Sequence, residues 1–301
     1  MPSLPPRGTL HLFRPPYRRL HPVLEPDRHP GEVGVTGTAL VWCMPPERDD
    51  RELQAVRRRP GGLSLLVVLP PADTVPRKDE IFRMIEFCRP AAVLPFHEEP
   101  HPDDLRILLS APPEDLPATV VDYLRWRGVP LDMDVRRLVR RTIELSGEIR
   151  SVNALARGVY LSRRALGRRF TSHGLPVPSH WLHAARVLRA VVRIQDRKLP
   201  LSRVAFDLGY PDAFALSNQM KRLTGIRPSE ARARLGWEWF LEAWLRKEAL
   251  EGGFSDEIAD ALLPRVAPAE GRGPSTGAVI PAPESTTRVA PSRQGGTAHR
   301  T

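Results

Sequence analysis

Three groups of residues in this chain have types and spacing that bear on chemistry. His97-Glu98-Glu99-Pro100-His101 is a literal H-E-x-x-H, the pattern in which two histidines one helical turn apart hold zinc beside a glutamate base. Cys43 and Cys88 are the only cysteines, enough for one disulfide and too few for a four-cysteine zinc site. The third group is Arg163-Arg164 and Arg168-Arg169, two arginine pairs separated by Ala165-Leu166-Gly167. Guanidinium forks suit phosphate oxygens and the O6/N7 edge of guanine.

The zinc reading needs a helix through the motif. Pro100 sits inside it and Pro95 and Pro102 flank it; an interior proline costs a helix about 3 kcal/mol and disfavours helix in the residue before it. A loop following a strand is the expectation, with a zinc hydrolase at His97–His101 as a remote alternative. The two cysteines read as buried, reduced thiols. Gly31, Gly34 and Gly37 lack the spacing and the following Lys-Ser/Thr of a phosphate loop. No Ser/His/Asp grouping stands out, and His180 and His183 read as solvated or interfacial residues. The expectation is therefore a non-enzyme with no metal and no cofactor.

Charge points elsewhere. The 301 residues carry 45 Lys+Arg against 35 Asp+Glu, a formal net charge of +10, which favours a polyanion as partner. Only Lys78, Lys198, Lys221 and Lys247 are lysines, so the arginine excess has the look of coding bias and its distribution must decide. Residues 131–234 hold 21 Lys+Arg and 8 Asp+Glu, whereas the rest of the chain holds 24 and 27. The excess belongs to one third of the molecule. No apolar run approaches the roughly 18–20 residues of a membrane span, and Met1–Leu20 has no apolar core of the export-signal type, so a cytoplasmic location is expected.

The elements that must position these groups fall into successive stretches. Residues 1–35, rich in Pro, Arg and His, read as a mostly disordered arm. In 36–127, the runs Thr38–Met44, Leu63–Leu69 and Ala91–Phe96 have the continuous hydrophobicity of parallel strands buried on both faces. Helix-like stretches at Asp50–Arg58 and Asp79–Arg89 lie between them. This predicts a small parallel α/β domain for regulation or dimerisation, with a weak similarity to response-regulator receiver domains. The phosphoacceptor signature is missing: Pro70-Pro71-Ala72 separates Leu69 from Asp73, and no lysine follows Phe96. Trp237, Phe240, Leu241 and Trp244 then mark a further helix within 236–263 that packs on the body or a second subunit, and 264–301 reads as a disordered tail.

Residues 131–235 are helical in pattern throughout and contain a repeat. Leu155-Ala156 is followed by Ser162, Leu166 and Phe170; Val204-Ala205 is followed by Asp212, Leu216 and Met220. Each set reads as a short helix, a tight turn and a second helix with inward apolar residues four apart. Ala156 and Ala205 allow close helix crossing, Gly209 suits a positive-φ turn, Ser162 and Asp212 are N-caps, and Gly225 ends the last helix. Ser179–Asp196 joins the two units as one helix.

The second unit, from Leu201 through Gly209-Tyr210 and Lys221-Arg222 to Gly225-Ile226-Arg227-Pro228-Ser229-Glu230, resembles the AraC/XylS family of transcription regulators. The first unit is similar through Leu155-Ala156, Ser162, Leu166, Arg168, Phe170 and Gly174, followed by Trp181-Leu182 and Arg186. Leu216 and Met220 replace the phenylalanines common at those anchors, Tyr160 falls where the family's first turn carries glycine, and one extra residue lies within Leu175–Pro178. The amino-terminal region does not resemble the sugar-binding barrel of the best-known members.

The resemblance implies a sequence-specific DNA-binding regulator whose recognition helices, about 163–172 and 212–223, enter successive major grooves. It places base-facing positions at Arg164, Gly167 and Arg168 in the first helix and at Ala213, Phe214, Ser217 and Asn218 in the second. Arg163, Arg169 and Lys221 suit phosphate. Expected partners are duplex DNA, a second copy through the N-terminal domain, and RNA polymerase, with a small-molecule effector left open and no membrane. The alternative is a protein-interaction module with a degenerate DNA-binding domain, suggested by the weakly polar second recognition helix.

Overall fold

The computed structural model of the chain describes residues 10–23, 37–45, 50–71, 78–96 and 100–263. Five strands, β1 (Leu10–Phe13), β2 (Leu20–Pro22), β3 (Ala39–Cys43), β4 (Ser64–Val68) and β5 (Ala92–Leu94), form one sheet in the order β2-β1-β3-β4-β5. β3, β4 and β5 are parallel, with Leu40 opposite Leu65 and Val67 opposite Val93. These are the three apolar runs of the sequence.

β1 and β2 run antiparallel to their neighbours, so the sheet is mixed where a wholly parallel one was expected. Both come from the stretch whose composition suggests a loose arm. What orders them is distant in sequence: Leu10 and Phe13 are buried beside β3, and the Tyr17 hydroxyl donates to the Gly37 carbonyl and accepts from the Leu235 N–H at 2.8 Å.

Alternate side chains leave the sheet on opposite faces. Leu40, Trp42, Leu65 and Val67 meet Leu53 and Val56 of α1 (Asp50–Arg57) and Ile85 of α2 (Lys78–Cys88). Val41, Leu66 and Val68 meet Leu105 and Leu109 of α3 (Pro102–Ser110). The N-terminal part is thus a helix-sheet-helix sandwich. Cys43 and Cys88 are unpaired thiols; burial pushes Cys43 up to about 11, with Glu52 adding to it, and raises Cys88 as well.

Asp73 and His97–Glu99 lie outside the described residues. His101 is the exposed N-cap of α3 and Pro102 its first residue, so the helix begins after the H-E-x-x-H string. Among the described residues no three His, Cys, Asp or Glu side chains cluster as metal ligands.

The remaining helices share one core running from Leu116 to Leu262. They are α4 (Leu116–Trp126), α5 (Met133–Leu145), α6 (Val152–Gly158), α7 (Arg163–Thr171), α8 (Pro178–Ile194), α9 (Leu201–Asp207), α10 (Ala213–Thr224), α11 (Pro228–Arg232), α12 (Glu238–Leu250) and α13 (Asp256–Leu262). Trp237, Phe240, Leu241 and Trp244 are all buried, and the Trp244 ring meets Trp181 of α8 edge-on at 4.7 Å. Among the described residues no helix is long and apolar enough to cross a membrane.

α12 is buried on more than that one face because it also meets the sheet. Glu238 accepts a hydrogen bond from Ser64 of β4 and pairs with Arg89 at 3.5 Å. Glu242 accepts from the Tyr123 hydroxyl at 2.9 Å, from Arg127 Nε and Nη2 at 2.8 Å each, and from Arg246 at 3.0 Å. Burial alone would raise the Glu242 carboxyl, but the hydrogen bonds and charge of Arg127, with Arg246 and Tyr123, hold it below its ordinary range. Its charge is compensated on every side that the helix buries.

Candidate nucleic-acid interface

Each recognition helix begins at a side-chain cap. Ser162 accepts from Ala165 N at 3.1 Å to start α7, and Asp212 accepts from Ala215 N at 2.7 Å to start α10. Counting from these caps aligns Arg163 with Ala213, Arg164 with Phe214, Gly167 with Ser217 and Arg168 with Asn218. Leu166 and Phe170, like Leu216 and Met220, are completely buried. The inward faces of the two helices are equivalent, and the outward faces carry different chemistry.

The turns that precede them share a hydrogen-bond pattern. Leu161 N donates to Ala156 O, and Tyr210 N to Ala205 O, each at 2.9 Å. This five-residue return is the Schellman closure of a helix, and it requires a left-handed residue just before the donor. Tyr160 (φ 58°) and Gly209 (φ 68°) fill that place. The substitution of tyrosine for the usual glycine therefore leaves the first turn's geometry intact. The second turn has one further residue, Pro211, before its cap.

On α7, Arg163, Arg164 and Arg168 are exposed and form no ion pair among the described residues. Arg169 is also exposed but reaches Asp134 of α5 at 3.2 Å. His173, just beyond α7, contacts the Asp132 carboxylate through Nε2 at 2.7 Å. Asp132 also caps α5 by accepting from Val135 N, which is the main reason its carboxyl lies below the ordinary range; desolvation opposes this, and the hydrogen bond and charge of His173 add to it. The C-terminal end of α7 is thereby fixed to α5 while its N-terminal arginines stay free. Two cations in the first turn oppose the helix macrodipole by about 0.3–1 kcal/mol each, a cost that an approaching phosphate or guanine reverses.

Gly167 lies on the same outward face, and a Cβ there would meet nothing within 4 Å. On α10, Phe214 is 72 % exposed, Asn218 and Lys221 are exposed, and Ala213 and Ser217 are half-buried. Phe206 of α9, 74 % exposed, adds a second solvent-facing aromatic ring to this unit.

Three arginines behind the recognition helices act between elements, and of the three only Arg186 falls among the family-motif residues. Arg186 of α8 is buried, donates to Leu208 O at 2.9 Å and lies 4.4 Å over the Tyr210 ring, so it grips the second turn. Arg150, between α5 and α6, packs so tightly on that turn that a Cβ on Gly209 would fall 2.1 Å from its Nη2. Arg189 of α8 donates to Ile143 O and Glu144 O at 2.8 and 3.1 Å, satisfying the carbonyls that α5 leaves open at its end. These contacts are between elements, so apart from the motif position of Arg186 only the arginine excess of 131–234 hints at them.

Residues 155–234 match a family model described as a helix-turn-helix domain. This segment is an AraC-type helix-turn-helix domain. It is a DNA-binding domain of the type found in transcription regulators, and it contains every residue of α7 and α10 considered above. No curated protein matches the chain. Among solved structures, the crystal structure of transcriptional regulator CdpR from Pseudomonas aeruginosa is similar at 17 % identity, over 65 % of this chain and 67 % of that one, with a TM-score of 0.30. A likeness at that level carries no weight for the fold.

The AraC-type domain is built around α8, whose 17 residues span about 25 Å at about 1.5 Å each. Trp181, Ala185, Leu188 and Val191 of α8 are buried in the core that both units share.

Proposed function

We propose that the chain is a sequence-specific transcription regulator that lays α7 and α10 into two successive major grooves of duplex DNA. The observation that carries this reading is the pair of matched caps and turns presenting two unlike outward faces on a common core. With α8 and its flanking turns as spacer, the recognition helices suit major grooves about 34 Å apart.

The two faces predict an asymmetric site. Arg164 and Arg168 read guanine through bidentate bonds, each worth about 1–3 kcal/mol of discrimination. Gly167 between them lets the helix backbone approach the base edges. In the second groove Asn218 reads adenine and Ser217 a base or phosphate, while Ala213 and Phe214 offer apolar contact to thymine methyls. Arg163, Arg169 and Lys221 contact phosphates, and Arg169 does so from its position beside Asp134.

In vitro selection of duplex DNA by the purified chain, followed by footprinting, tests this. The expected outcome is a two-part site separated by about one helical turn, guanine-rich in one half and A·T-rich in the other. Recovery of unenriched sequence would contradict it and favour a protein-interaction module.

A further inference from the structure

A cleft of about 1120 Å³ lies where the β1–β2 turn, α3 and the end of α8 come together. None of the DNA-reading residues lines it. Ile107 of α3 and Leu235 after α11 supply apolar wall, and Arg18, Arg106 and Arg197 supply positive charge. Asp103 is the lining carboxylate, and it is paired with Arg106 on the same helix. Arg18 and Arg197 form no ion pair among the described residues.

Guanidinium charge beside a concave, partly apolar wall is screened less than on open surface, which makes such a cleft attract anions. The apolar wall adds affinity for a ligand that brings a hydrocarbon body with its charge.

We propose that this cleft binds a small organic anion, a carboxylate or phosphate monoester with a short apolar body. Arg18 and Ile107 belong to the sheet part, whereas Arg197 and Leu235 flank the second helix-turn-helix unit. A ligand held by all four bridges the two parts. Occupancy braces the sheet against the connection between α8 and α9.

Calorimetric titration of the full chain with hexanoate, hexyl phosphate, hexylammonium and inorganic phosphate, at matched ionic strength and without DNA, tests the site. Saturable binding of at least one of the two hexyl anions is expected, with hexylammonium inert and inorganic phosphate weaker. Arg18→Ser combined with Arg197→Ser should weaken the anion about tenfold or more. Should that double variant fail to fold, Ile107→Glu, at a side chain exposed to solvent, must weaken it comparably by placing like charge in the wall. Failure of both hexyl anions to bind, binding of hexylammonium as tight as theirs, equal affinity for inorganic phosphate, or undiminished anion affinity in the folded variants would overturn the proposal.

Discussion

Tyr160 and Gly209 occupy the same place in two successive helix-turn-helix turns, at φ 58° and φ 68°. Only the glycine is suited to it. A left-handed backbone costs an ordinary L-residue about 1–2 kcal/mol, and the Tyr160 side chain, 96 % exposed, recovers nothing through burial.

Tyr160→Gly should accordingly stabilise the chain, by about 0.5–1 kcal/mol once the greater freedom of glycine in the unfolded chain is subtracted. Chemical denaturation followed by circular dichroism reads this directly. A less stable variant would mean that the tyrosine ring contributes packing that its exposure argues against.

Gly167→Ala tests the other anomalous position. Alanine favours a helix interior over glycine by about 1 kcal/mol, and the added methyl meets nothing in the protein. Stability should rise while affinity for the selected DNA site falls, because in the proposed docking the methyl would occupy the space between Arg164 and Arg168 against the base edges. A gain in both properties would remove Gly167 from the interface.

Much of this was legible in the sequence, and the omissions have a common cause. Ser162, Asp212, the apolar anchors four residues apart and the Gly225 cap are local signals within single units, and the structure places each where the spacing puts it. The three parallel strands announced themselves by unbroken hydrophobicity. Leu10–Phe13 did not, because a four-residue strand between prolines and arginines acquires its order from β3 and from the Tyr17 bridge to Leu235. The α12 glutamates were equally opaque. Glu238 and Glu242 have the appearance of a solvated helix face until Ser64, Arg89, Tyr123 and Arg127 are brought against them by the tertiary fold.

Glu242→Gln should be severely destabilising. It leaves Arg127 and Arg246 facing a neutral, buried amide, and breaking a buried pair in this way costs about 3–5 kcal/mol. The wild-type carboxyl titrates lower in the folded chain than its ordinary 4.5. Its stabilising contribution is thus complete above about pH 4.5 and is lost as the pH falls through the folded value. The stability gap between wild type and variant should narrow as the pH falls from 7 to 3. A constant gap between them would show that the charge of Glu242 is not what holds the junction.

Salt should weaken DNA binding steeply. Each arginine or lysine on a phosphate releases counterions, which makes the logarithm of affinity fall with the logarithm of salt by about 0.9 per contact. Arg163→Ala should lower that slope by about one contact while leaving sequence preference unchanged. An unaltered slope would place Arg163 in solvent.

Equilibrium binding of wild type and Arg168→Ala to the selected site and to random duplex, at one salt concentration, tests the central claim most directly. If α7 reads bases, Arg168→Ala loses about 1–3 kcal/mol on the selected site and much less on random DNA, so the ratio of the two affinities collapses. Equal losses on both would contradict the account and reduce Arg168 to a phosphate contact.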